Sequence, residues 1–82
     1  MEVGIGIMAF GIARDIVQGN QVFLPWEEGL TVGRVKAMLE AQYPGFKALK
    51  TFAIAVNEEY ATDDHIIGQR DEVVIIPPVS GG

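Results

Sequence analysis

The sequence contains no cysteine. That single absence excludes disulfides, thiolate metal sites and a cysteine nucleophile. Histidine occurs once, so no histidine pair is available to anchor a metal. Cations are scarce as well: six Lys and Arg against eleven Asp and Glu leave a formal net charge of −5. A nucleic-acid backbone would be repelled by such a surface on average, which argues against nucleic acid as a partner. The acids suit ordinary solubility, or steering toward a basic partner. No apolar run approaches the ~20 residues that cross a bilayer. The N-terminus has no basic start followed by an apolar stretch and a small-residue cleavage site. The expectation is a cytoplasmic protein with no membrane contact and no bound metal.

What is present is globular. Eighty-two residues at 49% hydrophobic and 21% charged suffice for one small domain with its own core, and no internal repeat, low-complexity tract or linker interrupts it. Val3, Ile5, Ile7 and Ala9 alternate with Gly4, Gly6 and Met8, a period of two that predicts a strand with one buried face. Gly4 and Gly6 lie on its other face, where another backbone or side chain could come close. Gly19-Asn20 marks a turn, and residues 21–26 predict a second strand pairing with the first. Thr31 fits a helix N-cap, with Leu30 and Val35 at staple positions. Val32, Val35, Leu39 and Tyr43 then recur at helical spacing until Pro44-Gly45. Phe52, Ile54 and Val56 predict a third strand, Asn57-Glu58 a tight turn into a short return strand at residues 60–62, and residues 62–69 an irregular segment. Residues 72–76, in which Val73-Val74-Ile75-Ile76 is a continuous apolar run, are read as a central strand buried on both faces.

A crossover helix returning the chain to its own sheet implies some parallel pairing. One main helix on a mixed sheet of four or five strands is a two-layer α+β domain, the β-grasp arrangement of ubiquitin. In that arrangement the last strand lies beside the first at the sheet centre. The division expected is a domain over residues 1–76 and a projecting tail over 77–82.

The tail reads Pro77-Pro78-Val79-Ser80-Gly81-Gly82. Two prolines hold φ near −65° and favour an extended, stiff start. Glycines make the tip slim and permissive. Six extended residues reach about 20 Å at roughly 3.3 Å each, enough to carry a terminal group into another protein's cleft. The last reactive group is the α-carboxylate of Gly82. A carboxylate is a poor electrophile, so acyl chemistry there needs prior activation, for instance as an acyl-adenylate.

These residues resemble a known family. The segment from Asp71 through Glu72-Val73-Val74-Ile75-Ile76 to Pro77-Pro78 and the terminal Gly81-Gly82 is similar to the signature ending of the ubiquitin-like sulfur carriers, specifically the small subunits of molybdopterin synthase. Phe10-Gly11-Ile12-Ala13-Arg14-Asp15, the 31–44 helix and Ala55-Val56-Asn57-Glu58-Glu59-Tyr60 resemble the family's other motifs, in order and at the right length. The resemblance implies that an activating enzyme uses ATP to adenylate Gly82, that sulfur replaces an oxygen to give a thiocarboxylate, and that the tail enters a large subunit. There the sulfur passes to the pterin precursor of the molybdenum or tungsten cofactor. It further implies a heterotetramer of two small and two large subunits, no bound cofactor, and no catalytic activity for the small subunit alone. By the same resemblance, Pro77, Pro78, Val79, Ser80 and Gly81 are the inserted segment, and Phe10 and Tyr60 contact the large subunit. The missing cysteine fits a carrier whose cargo sits on the backbone terminus. The sequence departs from the pattern at Arg70, where glycine is common, at Ile66, where proline is common, and at Gly4 and Gly6. If position 70 needed a positive φ, a non-glycine would cost on the order of 1 kcal/mol there. Without proline at 66, the preceding loop is expected to be freer.

Two other readings keep the tail but change its use: a thiamine-type sulfur carrier, and a ubiquitin-like modifier joined to lysines through Gly82. A fourth possibility is a plain interaction domain with an idle tail. Asp63-Asp64-His65 suggests turn capping rather than a metal site. Glu27-Glu28 and Glu58-Glu59 read as solvated charge, and Trp26 as core or rim.

Overall fold

The computed structural model describes residues 3–49 and 52–78. Its elements are β1 (Gly4–Ala9), α1 (Ile12–Val17), β2 (Gln21–Pro25), α2 (Val32–Gln42), a 3-10 turn (Pro44–Ala48), β3 (Ala53–Val56), β4 (Glu59–Tyr60) and β5 (Val73–Ile76). The five strands form one mixed sheet in the order β2-β1-β5-β3-β4. β1 and β2 are antiparallel, as are β5 with β3 and β3 with β4. β1 and β5 are parallel. The last strand therefore occupies the centre beside the first, as the β-grasp reading requires.

The helix α2 starts where the sequence places it. Thr31 has an extended backbone and its hydroxyl accepts from the Arg34 N–H at 3.2 Å, satisfying one of the donors a helix start leaves free. Leu30 and Val35 are both buried, as a staple demands. Val32, Val35 and Leu39 face the sheet and meet Ile5, Ile7, Val22, Leu24, Ile54, Val56, Val73 and Ile75 in one core. Among the described residues, no buried side-chain polar atom lacks a partner.

Four sequence expectations need correction. No element is expected between the first strand and the Gly19-Asn20 turn, yet Ile12–Val17 forms a short helix that buries Ala13. The chain after Tyr43 does not simply leave the helix. Pro44 starts a 3-10 turn that drives Phe46 fully into the core, edge-on to Tyr43 at 6.2 Å and against Phe52 at 5.1 Å. The central strand is not buried on both faces: Val73 and Ile75 are buried while Val74 and Ile76 are only half-buried, because just one face of the sheet carries a helix. The return strand is Glu59–Tyr60, earlier than expected.

Two departures from the family pattern prove harmless locally. Arg70 is not among the residues with positive φ, so it bears no left-handed strain. Ile66 pairs with Thr31 across an antiparallel bridge, and the flanking Val32 and Ile67 N–H groups donate to His65 and Leu30 carbonyls at 3.0 and 2.7 Å. The loop is tied down without a proline. Trp26 is half-buried at the rim and donates its indole N–H to the Ile67 carbonyl at 2.9 Å. The irregular segment is pinned as well: Lys36 meets Asp63 at 2.8 Å and the Thr62 hydroxyl donates to Asp64 at 2.5 Å.

Candidate functional site

The site begins with the way β5 is held. Its sides are paired to β1 (Ile7↔Val73, Met8↔Val74, Ala9↔Ile75) and to β3 (Ala53↔Ile76 through Val56↔Val73). Its start is clamped by a side-chain network. Asn57 accepts from the Glu72 N–H at 2.9 Å and donates to Asp71 at 3.1 Å, while its own N–H donates to the Glu72 carbonyl at 2.8 Å. Asp71 also accepts from the Gly68 N–H at 2.7 Å. These bonds favour the ionised carboxylate and hold Asp71 below the usual carboxylate range, Gly68 contributing most, then Asn57, with nearby His65 adding slightly against a small opposing effect of burial. Asn57 can do this because it and Glu58 both take positive φ, 53° and 70°. They form the two-residue hairpin turn that joins Val56 to Glu59.

At the other end, Ile76 is the last residue of the strand and Pro77 follows. Proline has no N–H, so the ladder stops there. Pro77 is half-buried and Pro78 exposed, and the chain leaves the sheet from its central strand, which is paired on both sides. Val79, Ser80, Gly81 and Gly82, the remainder of the expected tail, lie outside the described residues.

Beside this root lies the face of the sheet that α2 does not cover. Strand alternation and the register place Gln21, Met8, Val74, Ala55 and Tyr60 in one row across all five strands. Phe23 and Gly6 pair in the neighbouring row on the β1–β2 side. None of the described strand positions on this face carries a charged residue. Several are large and open: Met8 is 37% exposed, Phe10 49%, Phe23 70% and Tyr60 74%. Such a contiguous uncharged apolar surface on a small domain is a candidate docking face. Both aromatics singled out in the sequence, Phe10 and Tyr60, are exposed. Tyr60 sits on the β4 edge, and Phe10, one residue beyond β1, follows Met8 and Ala9 on the other side of β5.

Sequence reading missed Phe23 and Met8 as members of this face. Their signal was available: each is a bulky apolar residue out of step with the buried alternation of its own strand. Phe23 also explains Gly6. A Cβ on Gly6 would stand 2.6 Å from Gln21 Nε2 and 3.3 Å from Phe23 Cε1, so the Gln21 and Phe23 side chains lie across the glycine of the neighbouring strand. Among the described residues no group of three or more His, Cys, Asp or Glu could hold a metal ion, and no helix is long and apolar enough to cross a membrane.

A β-grasp sheet whose last, central strand runs into a proline-led C-terminal segment beside an uncharged face defines a ubiquitin-like protein. Within that class the chain belongs to the ThiS family, whose model matches residues 7–82. It is 35% identical over 82 residues to the molybdopterin synthase sulfur carrier subunit of Arabidopsis thaliana, covering 99% of this chain and 85% of that one. Two solved structures share the fold. The putative molybdopterin converting factor subunit 1 of Pyrococcus furiosus superposes with a TM-score of 0.83 at 22% identity, covering 94% of this chain and 99% of that one. A chain in the complex of subunits 1 and 2 of the molybdopterin-converting factor from Helicobacter pylori superposes at 0.64 with 20% identity, covering 96% of this chain and 99% of that one.

Proposed function

We propose that this protein is the sulfur carrier subunit of a molybdopterin synthase. The observation that carries the reading is the passage of the central, doubly paired strand β5 into Pro77-Pro78 beside a face without charge. The name and near full-length similarity of the plant relative support it.

The chemistry runs through the Gly82 α-carboxylate. An activating enzyme joins it to AMP from ATP and releases pyrophosphate. Hydrosulfide, as the sulfur donor, then attacks the acyl carbon, displaces AMP and leaves a thiocarboxylate on Gly82. The anionic sulfur attacks the pterin precursor of the molybdenum or tungsten cofactor, and water then cleaves the Gly82 C–S bond, leaving the sulfur on the pterin and returning Gly82 as a carboxylate. Threading the tail, residues 77–82, into a large subunit excludes water and places the sulfur among fixed dipoles and cations of that partner. This chain then supplies reach and docking, holds no cofactor of its own, and leaves acid–base catalysis to the large subunit. Phe10 and Tyr60, joined by Met8 and Phe23, anchor the complex as buried aromatic contacts do. The assembly expected is two small and two large subunits.

Intact mass of the protein after incubation with its activating enzyme, ATP and a sulfur donor should show one oxygen exchanged for sulfur, mapped to Gly82. No exchange with an activating enzyme proven active would overturn the reading. Removing Gly81-Gly82 should abolish sulfur transfer and leave the melting temperature unchanged.

A further inference from the structure

Gly11 occupies the point where β1 leaves the sheet. Its backbone lies at φ 56°, ψ −134°, and the Ala13 N–H donates to the Phe10 carbonyl at 3.0 Å. That is a four-residue turn with its first central residue in the conformation of a type II′ turn, which glycine alone adopts without strain. The Arg14 N–H then donates to the Gly11 carbonyl at 3.0 Å and carries the turn into α1. The parallel register pairs Ala9 with Ile75, and continued two steps it sets Gly11 opposite Pro77. The packing agrees: a Cβ on Gly11 would stand 3.5 Å from Pro77 Cγ. So β1 turns away at the residue where β5 loses its N–H, and Pro77, half-buried, meets the turn on the side where its strand partner has ended.

We propose that Gly11 is a positioning residue for the C-terminal arm: its type II′ turn is the shelf on which Pro77 rests, and it fixes the direction in which the arm leaves the sheet. An L side chain at position 11 would fit beside Pro77, since 3.5 Å is ordinary contact. The cost falls on the backbone, which must abandon the turn or carry its strain. A displaced shelf redirects the arm, while the ladder pairs of β1, which end at Ala9, keep their register. The consequence for transfer rests on the sulfur-carrier reading; the Gly11–Pro77 contact does not.

The test uses the full chain made by chemical ligation with a Gly82 thiocarboxylate, in three versions: parent, Gly11→Ala and Gly11→D-Ala. D-Alanine has its favoured region at positive φ, so it keeps the turn. In single-turnover transfer to the pterin precursor, Gly11→Ala should lower the rate at saturating large subunit by about tenfold or more, in the range that a small misplacement of a reacting group costs. The amount of large subunit needed for saturation should change little, and the D-Ala version should transfer at the parent's rate. Nuclear Overhauser contacts from the position-11 protons, Hα in the parent and D-Ala versions and the methyl as well as Hα in L-Ala, to Pro77 Hγ should persist in the D-Ala version and be lost with L-Ala. A folded Gly11→Ala protein as fast as parent overturns the proposal, as does a D-Ala version as slow as L-Ala. If the parent itself transfers no sulfur, the carrier reading fails, and the contact measured in the three free proteins still decides whether the Gly11 turn holds Pro77.

Discussion

The two faces of this sheet are both apolar and do different work. On one, Ile5, Ile7, Leu24, Ile54, Val73 and Ile75 are buried under α2 and Phe46. On the other, Met8, Phe23 and Tyr60 are in contact with solvent. Along β1 and β5 the two sets alternate residue by residue, so neighbours in the sequence belong to different tasks. Burial of the first set drives folding at about 25 cal/mol per Å² of apolar surface removed from water. The second set stays in contact with solvent in the free domain, and its further burial is available to a partner. Composition alone does not separate the two; the parity of each position within its strand does.

The largest expected effect breaks the covered face. Phe46→Ala should cost about 3–5 kcal/mol, a large share of the 5–15 kcal/mol typical of a domain, read as a fall in the urea midpoint. A loss under about 1 kcal/mol would mean that the 3-10 turn is not part of the continuous core. The open face should respond the other way. Tyr60→Ala and Phe10→Ala should each weaken binding to a large subunit by about 2 kcal/mol, roughly thirtyfold, with unfolding shifted by less than about 0.5 kcal/mol. If either substitution lowers stability more than affinity, that aromatic belongs to the fold and not to the dock.

The same contrast explains what the sequence disclosed. The covered face was legible because period-two and helical spacings repeat over several residues, and Thr31 with Pro44 marks the ends of α2. Phe10 and Tyr60 were legible only through their motifs. Phe46 was missed because its burial depends on a 3-10 turn, where no apolar period exists to detect. The short helix at Ile12–Val17 was missed because six residues carry less than two turns of pattern, and it is held by the Gly11 turn rather than by its own propensity. The apolar run of β5 was read as buried on both faces because a strand under a docking face and a strand between two layers look alike in sequence. Only the count of helices, one layer instead of two, distinguishes them.

Sharpening the comparison calls for a change that raises stability without touching the open face. Glu58 takes φ 70° in the hairpin turn, where a non-glycine residue is strained by about 1 kcal/mol. Glu58→Gly removes that strain and makes the Asn-Gly pair this turn favours. Part of the gain is offset by the greater freedom of glycine in the unfolded chain, leaving about 0.5 kcal/mol of added stability in denaturant unfolding. Affinity for a large subunit should stay as it was, since the Tyr60 ring is unaltered. A glycine variant that is less stable would show that the Glu58 side chain does something the turn conformation does not reveal.

The smallest effect is a pH dependence at the root of β5, which both faces share. Asp71 is held below its usual range by the Gly68 N–H and the Asn57 amide. A carboxyl whose pKa is lower in the folded state stabilises the fold above its unfolded value, near 3.9. That contribution is lost as pH falls from there through the lower folded value. Stability measured by denaturant at fixed pH should therefore decline below about pH 4, and Asp71→Asn should flatten the decline while lowering stability at neutral pH. The change is small because the carboxylate is partly solvated and screened. Both faces should weaken together, because the clamp acts on the strand that carries Val73 and Ile75 on one side and Val74 and Ile76 on the other. An acid slope identical in parent and Asp71→Asn proteins would place the sensitivity elsewhere among the acids and leave the Asn57 bonds to Glu72 as the whole of the clamp.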